Sequence, residues 1–201
     1  DRVVLAAGTL SSLRICADSL STHGAKAPLL DNDMFVVPML LDEAPEIGWK
    51  TSFTLSEAAL ALDAGTASEF PVHIQFYSLN NSMIPSPLRK LRRLPGVERL
   101  INRFVIGFIY LNSAESRQSV VVPQATESGI ARLDAQSKSM PRTDIVRNVL
   151  KKMNEARPAT GLRPLGQFLR STPLGFSGHL SGTLPMLTDE VGETFHLRTE
   201  S

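Results

Sequence analysis

The chain is poor in cysteine. Cys16 alone, among 201 residues, rules out an internal disulfide framework and any zinc site built on several thiolates. Histidine is scarce as well, with four in all, His23, His73, His179 and His196. Neither sign of charge dominates: 21 Lys and Arg stand against 20 Asp and Glu, a net charge of +1, which argues against nucleic acid as the partner. No apolar run approaches the roughly 18 to 20 residues that span a bilayer. The phosphate-cradling Gly-x-x-x-x-Gly-Lys, the dinucleotide Gly-x-Gly-x-x-Gly, the Gly-x-Ser-x-Gly nucleophile elbow and the His-Glu-x-x-His zinc helix are all missing. There is no initiator Met at Asp1 and no terminating element before Ser201, so the sequence reads as a piece of a longer, cytoplasmic protein.

With 42% hydrophobic and 20% charged residues, the chain has the material for a core. A chain of this size removes about 70% of its unfolded surface from water on folding. Arg2 to Gly8 has the composition of a buried strand running into a glycine turn. Thr9 or Ser11 then caps a helix that reaches about Leu20. Residues 24–33 read as loop, and Met34 to Leu41 as a strand that Pro38 places at an edge or splits. Thr51 to Leu62 fits strand or helix, with a strand favoured in its first half. In Phe70 to Leu79, Val72, Ile74 and Phe76 alternate with His73, Gln75 and Tyr77, which predicts a strand with one wetter face.

Leu88 to Arg103 is basic and reads as one or two short helices. Phe104 to Leu111 and Ser119 to Val122 read as strands joined by a polar hairpin connection, and residues 126–141 lack periodicity. Thr143 as N-cap, with Ile145, Val146, Val149, Leu150 and Met153 at spacings of three and four, predicts a helix over 144–156 that Pro158 ends. The expected fold class is therefore α+β. A mainly antiparallel sheet of roughly four to six strands accounts for residues 34–125, with helices packed on it.

Two histidines have settings that suit chemistry. His73, Gln75 and Tyr77 share a strand face that could line a polar pocket or simply be surface. His179 lies between Gly178 and Gly182, where backbone can approach a ligand closely and a neutral imidazole can accept a hydroxyl proton. His23 reads as a solvated loop residue, Cys16 as a small buried apolar side chain and Trp49 as a core or rim residue. His196 carries no assignment.

Arg2-Val3-Val4-Leu5-Ala6-Ala7-Gly8-Thr9-Leu10-Ser11-Ser12-Leu13-Arg14-Ile15 resembles the strand, glycine turn and helix found late in the flavin domain of glucose-methanol-choline oxidoreductases. His179-Leu180-Ser181-Gly182-Thr183-Leu184-Pro185-Met186 resembles the same family's His-x-x-Gly-Thr-x-x-Met segment, although Leu184 and Leu187 replace residues common in the family. The resemblance implies three parts: residues 1–24 from an α/β FAD-binding domain, 25–141 as a substrate-binding cap, and 142–201 as a return helix and loop. It implies FAD as cofactor, a small alcohol as substrate, and hydride transfer to flavin N5 with His179 as proton acceptor. Ala7, Gly8, Thr9, Gly182 and Thr183 would lie at the flavin, and His73, Gln75 and Tyr77 at the substrate, with no metal.

Without the nucleotide motif the fragment is expected to be inactive by itself and to self-associate through exposed apolar residues near Val3 to Gly8. Two other readings are open. One is a stand-alone, non-enzymatic small-ligand-binding or interaction domain using the His73 face. The other is a basic amphipathic helix from Arg89-Lys90-Leu91-Arg92-Arg93-Leu94 for an anionic membrane, although its leucines are equally explained by packing on the sheet.

Overall fold

The computed structural model describes residues 4–44, 56–78, 96–180, 182–183, 186–187 and 197–198. They form an α+β fold with mostly antiparallel sheets, in two compact units. The sheet unit comprises Asp33–Glu115 and Arg142–Thr172, and the terminal unit Asp1–Asn32, Ser116–Pro141 and Pro173–Ser201. The units interleave along the chain, with junctions after Asn32, Glu115, Pro141 and Thr172.

The sheet unit is built on β2, Met34–Leu41. It pairs along its length with β5, Phe104–Tyr110, which pairs with β4, Val72–Ser78, and β4 with β3, Ala58–Leu62, all antiparallel. On its other edge β2 takes two short strands that no pattern announces: β8, Leu162–Pro164, and β9, Arg170–Ser171. Alternation then sorts the side chains. Phe35, Val37, Met39, Val72, Ile74 and Ile109 are buried against α3, Thr143–Glu155, which contributes Ile145, Val146, Val149, Leu150 and Met153 to the same core. Each large side chain taken fully out of water contributes about 1.5–3 kcal/mol.

Pro38 is neither at an end nor a break, contrary to expectation. Its carbonyl accepts the Leu165 amide at 2.9 Å, and the N and O of one strand residue point to the same edge. The missing donor therefore faces the gap between β9 and β8, where no ladder bond is needed. The α3 helix starts at Thr143 without a side-chain cap, because Arg142 holds the N-cap position and grips Asp144, Nη2 to Oδ2 at 2.7 Å. Pro158 does not stop the chain at once. One further turn, α4, Arg157–Thr160, runs to Gly161, whose φ of +64° closes it. Of the basic stretch, only α2, Val97–Ile101, and its close neighbours are described, and Arg89 to Leu94 lies outside the described residues.

The terminal unit holds α1, Thr9–Leu20, and a sheet in the order β1, Ala27–Leu29; β6, Ser119–Gln124; β7, Arg132–Ser137. Leu13, Ala27, Leu29 and Val121 form its core, with Cys16 half-buried beside them. Two expectations fail here for one reason: strand pairing is not local. The residues around 28 and 134 looked like loop, yet each finds β6 as partner, while the expected hairpin between β5 and β6 does not form because the two belong to different sheets. Residues 4–8 carry no strand, as no neighbour among the described residues pairs with them, and Val4 is 88% exposed. Met186–Leu187 and Leu197–Arg198 make a short parallel pair, β10 and β11. Among the described residues, no helix is long and apolar enough to cross a membrane.

An acid-sensitive tie joins β2 to the turn after α3. Arg157 Nη2 stands 2.7 Å from Asp42 Oδ1, and this hydrogen bond, helped by the charges of Arg157, Arg103 and Arg163, holds the Asp42 carboxyl below its ordinary 3.8. A depressed folded-state value means the contribution is complete above the unfolded value and lost as pH falls through the folded one. Urea midpoints measured from about pH 5 to about pH 3 should fall less steeply for Asp42→Asn than for the parent. Parallel curves would remove Asp42 from the account.

Candidate functional site

The first site lies in the terminal unit. Gly8 is the N-cap of α1, with φ +80° and no side-chain cap, and a Cβ built on it would meet nothing within 4 Å. The opening amides of α1 have no helical acceptor of their own, so this end presents N–H donors beside open space. Thr9, expected as a possible cap, is instead the first helical residue, and its side chain reaches across the sequence. Its Oγ1 donates to the Leu180 carbonyl at 2.7 Å, and Thr183 Oγ1, buried to 2% exposure, donates to the Thr9 carbonyl at 3.0 Å. The two motif segments, some 170 residues apart, are thus tied to one another.

The chain leading to and between these ties turns at glycines. Gly175, Gly178 and Gly182 have φ of +79°, +72° and +75°, values that side-chain-bearing residues rarely adopt. A Cβ on Gly182 would also stand 2.6 Å from Leu30 Cγ. Gly182→Ala should therefore destabilise the protein by about 1–2 kcal/mol from the backbone alone, with the Leu30 contact adding to it. In urea denaturation, Leu30→Ala introduced into the Gly182→Ala protein should relieve the contact and leave the backbone cost. An unchanged midpoint for Gly182→Ala would refute both.

His179 is exposed on this loop, and its amide donates to Ser177 Oγ at 3.0 Å. The Ser177 hydroxyl donates in turn to Asp31 Oδ1 at 2.5 Å, while Asp31 Oδ2 accepts the Gly175 amide at 2.6 Å. Asp31 is 3% exposed. Nothing in the run Leu29-Leu30-Asp31-Asn32-Asp33 singles it out, and only the three-dimensional pairing reveals it.

The second site lies on the sheet unit, on the face opposite α3. Here Tyr77 donates its hydroxyl to Gln75 Oε1 at 2.7 Å. With that oxygen taken, the Gln75 amide nitrogen is the donor to His73 Nε2 at 3.2 Å, so the His73 proton resides on Nδ1. The register sets aromatic rings beside this row: Phe108 at 4.8 Å from Tyr77 and Tyr110 at 6.1 Å from His73, centroid to centroid. Burial pushes the Tyr110 phenol above its ordinary 10.0, and the neighbouring Tyr77 adds to the shift. On the other flank Ala59 and Ala61 of β3 are opposite Gln75 and His73 and leave the row uncrowded. The arrangement offers donors and acceptors for a hydroxylated ligand and ring faces for its apolar part.

The expected residues thus form two groups. Ala7, Gly8, Thr9, His179, Gly182 and Thr183 belong to the terminal unit, and His73, Gln75 and Tyr77 to the sheet unit. His23, expected to be solvated, has Nε2 at 3.0 Å from Asp18 Oδ1. Trp49 and His196 lie outside the described residues. Among the described residues, no three His, Cys, Asp or Glu side chains are grouped to hold a metal ion.

FAD can be tested against this geometry. The open space at Gly8 and the uncapped amides of α1 suit the edge of a flavin ring, whose carbonyl oxygens accept hydrogen bonds. The chain's sequence contains no Gly-x-Gly-x-x-Gly to take the pyrophosphate. No protein-family model matches the chain, and no curated protein matches it.

Proposed function

We propose that this chain is part of an FAD-dependent oxidoreductase of the glucose-methanol-choline kind that acts on the CH–OH group of an alcohol. The observation that carries the reading is the pair of Thr9 hydrogen bonds, to Leu180 and from Thr183, which unite the two segments that resemble that family. Flavin, when bound, supplies the hydride acceptor that side chains lack. The chain's own residues would do the rest. Ala7, Gly8 and Thr9 would hold the ring, Gly182 and Thr183 would shape the loop, and His179 would take the hydroxyl proton at its imidazole. The row of His73, Gln75 and Tyr77 would hold a hydroxylated ligand on the sheet unit.

Loss of the hydroxyl proton raises electron density at the carbinol carbon and makes its hydrogen a better hydride, which is why a base near neutrality suits the task. The flavin-loaded protein should be reduced on anaerobic mixing with a suitable alcohol, and more slowly when the carbinol carbon bears deuterium. Failure of every alcohol in a broad panel to reduce the flavin would overturn the reading.

A second reading, a non-enzymatic binding module, is favoured by the hydrogen-bonded row of His73, Gln75 and Tyr77 on the sheet. It predicts ligand binding that Tyr77→Phe and Gln75→Ala weaken and that FAD does not influence.

A further inference from the structure

We propose that Asp31 is the positioning residue for His179, a role that rests on the reading of His179 as proton acceptor. The loop bearing His179 is held on both sides. On its C-terminal side, the Leu180 carbonyl takes the Thr9 hydroxyl and the Leu180 side chain packs on the core of Leu13, Ala27, Leu29 and Val121. On its N-terminal side Leu174 packs on the same core, whereas Phe176, further along the loop, is 62% exposed and anchors nothing between Leu174 and Leu180. The hold there is polar. Asp31 accepts the Gly175 amide at 2.6 Å and the Ser177 hydroxyl at 2.5 Å, and Ser177 passes the constraint on by accepting the His179 amide at 3.0 Å.

A carboxylate is suited to this place. It accepts at both oxygens with short charge-assisted bonds, whereas an asparagine offers a single acceptor and a neutral one. Gly175 and Gly178, both at positive φ, let the backbone turn tightly enough to bring the Gly175 amide and the Ser177 hydroxyl onto one carboxyl group. The seat of Asp31, directly after β1 on the sheet of the terminal unit, transfers the rigidity of the ladder to the loop. The imidazole itself remains exposed to reactants while its backbone is fixed, as a base that must meet a substrate requires.

The test compares Asp31→Asn and Ser177→Ala with the parent by amide hydrogen exchange. In both variants, exchange at His179 should rise at least tenfold, and at Gly175 in Asp31→Asn, while the β1 amides keep their parental rates. Ser177→Ala decides the matter if Asp31→Asn fails to fold, because it cuts the link to His179 at a half-buried position. Unchanged exchange at His179 in Ser177→Ala, or a rise spread evenly over β1 and β6, would overturn the proposal.

In the flavin-loaded protein the same variants should lower kcat with KM little changed, since the base and not the binding face is displaced. An equal fall in kcat/KM through KM alone would also overturn it. Should the exchange result hold while His179→Ala leaves alcohol oxidation intact, the latch stands as structure and the proton-acceptor reading fails with the positioning role.

Discussion

His179→Ala should lower the rate of alcohol-driven flavin reduction by about 10²- to 10⁴-fold, the usual contribution of a positioned general base. The loss should be confined to the chemical step. His179 is exposed, and the bonds that shape its loop include those of its backbone amide and of Asp31, Ser177, Thr9 and Thr183. Flavin content, thermal midpoint and KM should therefore stay near the parental values while kcat collapses. Stopped-flow reduction under anaerobic conditions measures this directly. A variant with parental kcat would dismiss His179 from the chemistry.

Phe35→Ala carries the second large effect, a loss of about 3–5 kcal/mol. Phe35 is 0% exposed and is the bulkiest of the fully buried side chains among the described residues. It sits on β2, the strand that holds β5 on one edge and β8 and β9 on the other, and it faces the α3 core. A cavity there has stiff walls, since ladder bonds fix the backbone on both sides and leave little room to collapse. Total stabilities of ordinary domains are about 5–15 kcal/mol, so this one truncation should bring the sheet unit close to unfolding at room temperature. Val36 on the same strand faces the opposite side and is half-buried, and Val36→Ala should cost clearly less in the same urea titration. Equal costs for the two would mean that the two faces of β2 are not distinguished as described.

The features legible in the sequence were those that short-range periodicity controls. The alternation of Val72, Ile74 and Phe76 with His73, Gln75 and Tyr77 fixed which side chains meet the core, and the spacing of Ile145 to Met153 located α3 within a residue or two. Glycine and helix-forming residues placed α1 at Thr9–Leu20 in the same way.

Features decided by distant partners were illegible. The β1 segment Ala-Pro-Leu and the β7 segment Arg-Leu-Asp-Ala-Gln-Ser have no strand signature of their own and exist as strands because β6 bonds to both. Conversely, Val4 to Gly8 has the right composition and no partner among the described residues. Pro38 misled because proline's constraint is directional: one free edge suffices, and the break between β8 and β9 supplies it inside a central strand. The candidate site divides along the same line. His179, Gly182 and Thr9 stood out by motif, whereas Asp31 and the Thr9 to Leu180 tie depend on contacts across more than 140 residues.

The central claim is that the Gly8 turn and the His179 loop form the ring end of a flavin site. The most direct measurement is the visible absorbance spectrum of the protein purified with the sequence that flanks this chain in its source DNA. The account predicts a yellow protein whose flavin band bleaches anaerobically when the right alcohol is added. A colourless protein that takes up no FAD, yet binds a polar ligand through His73, Gln75 and Tyr77, would contradict it.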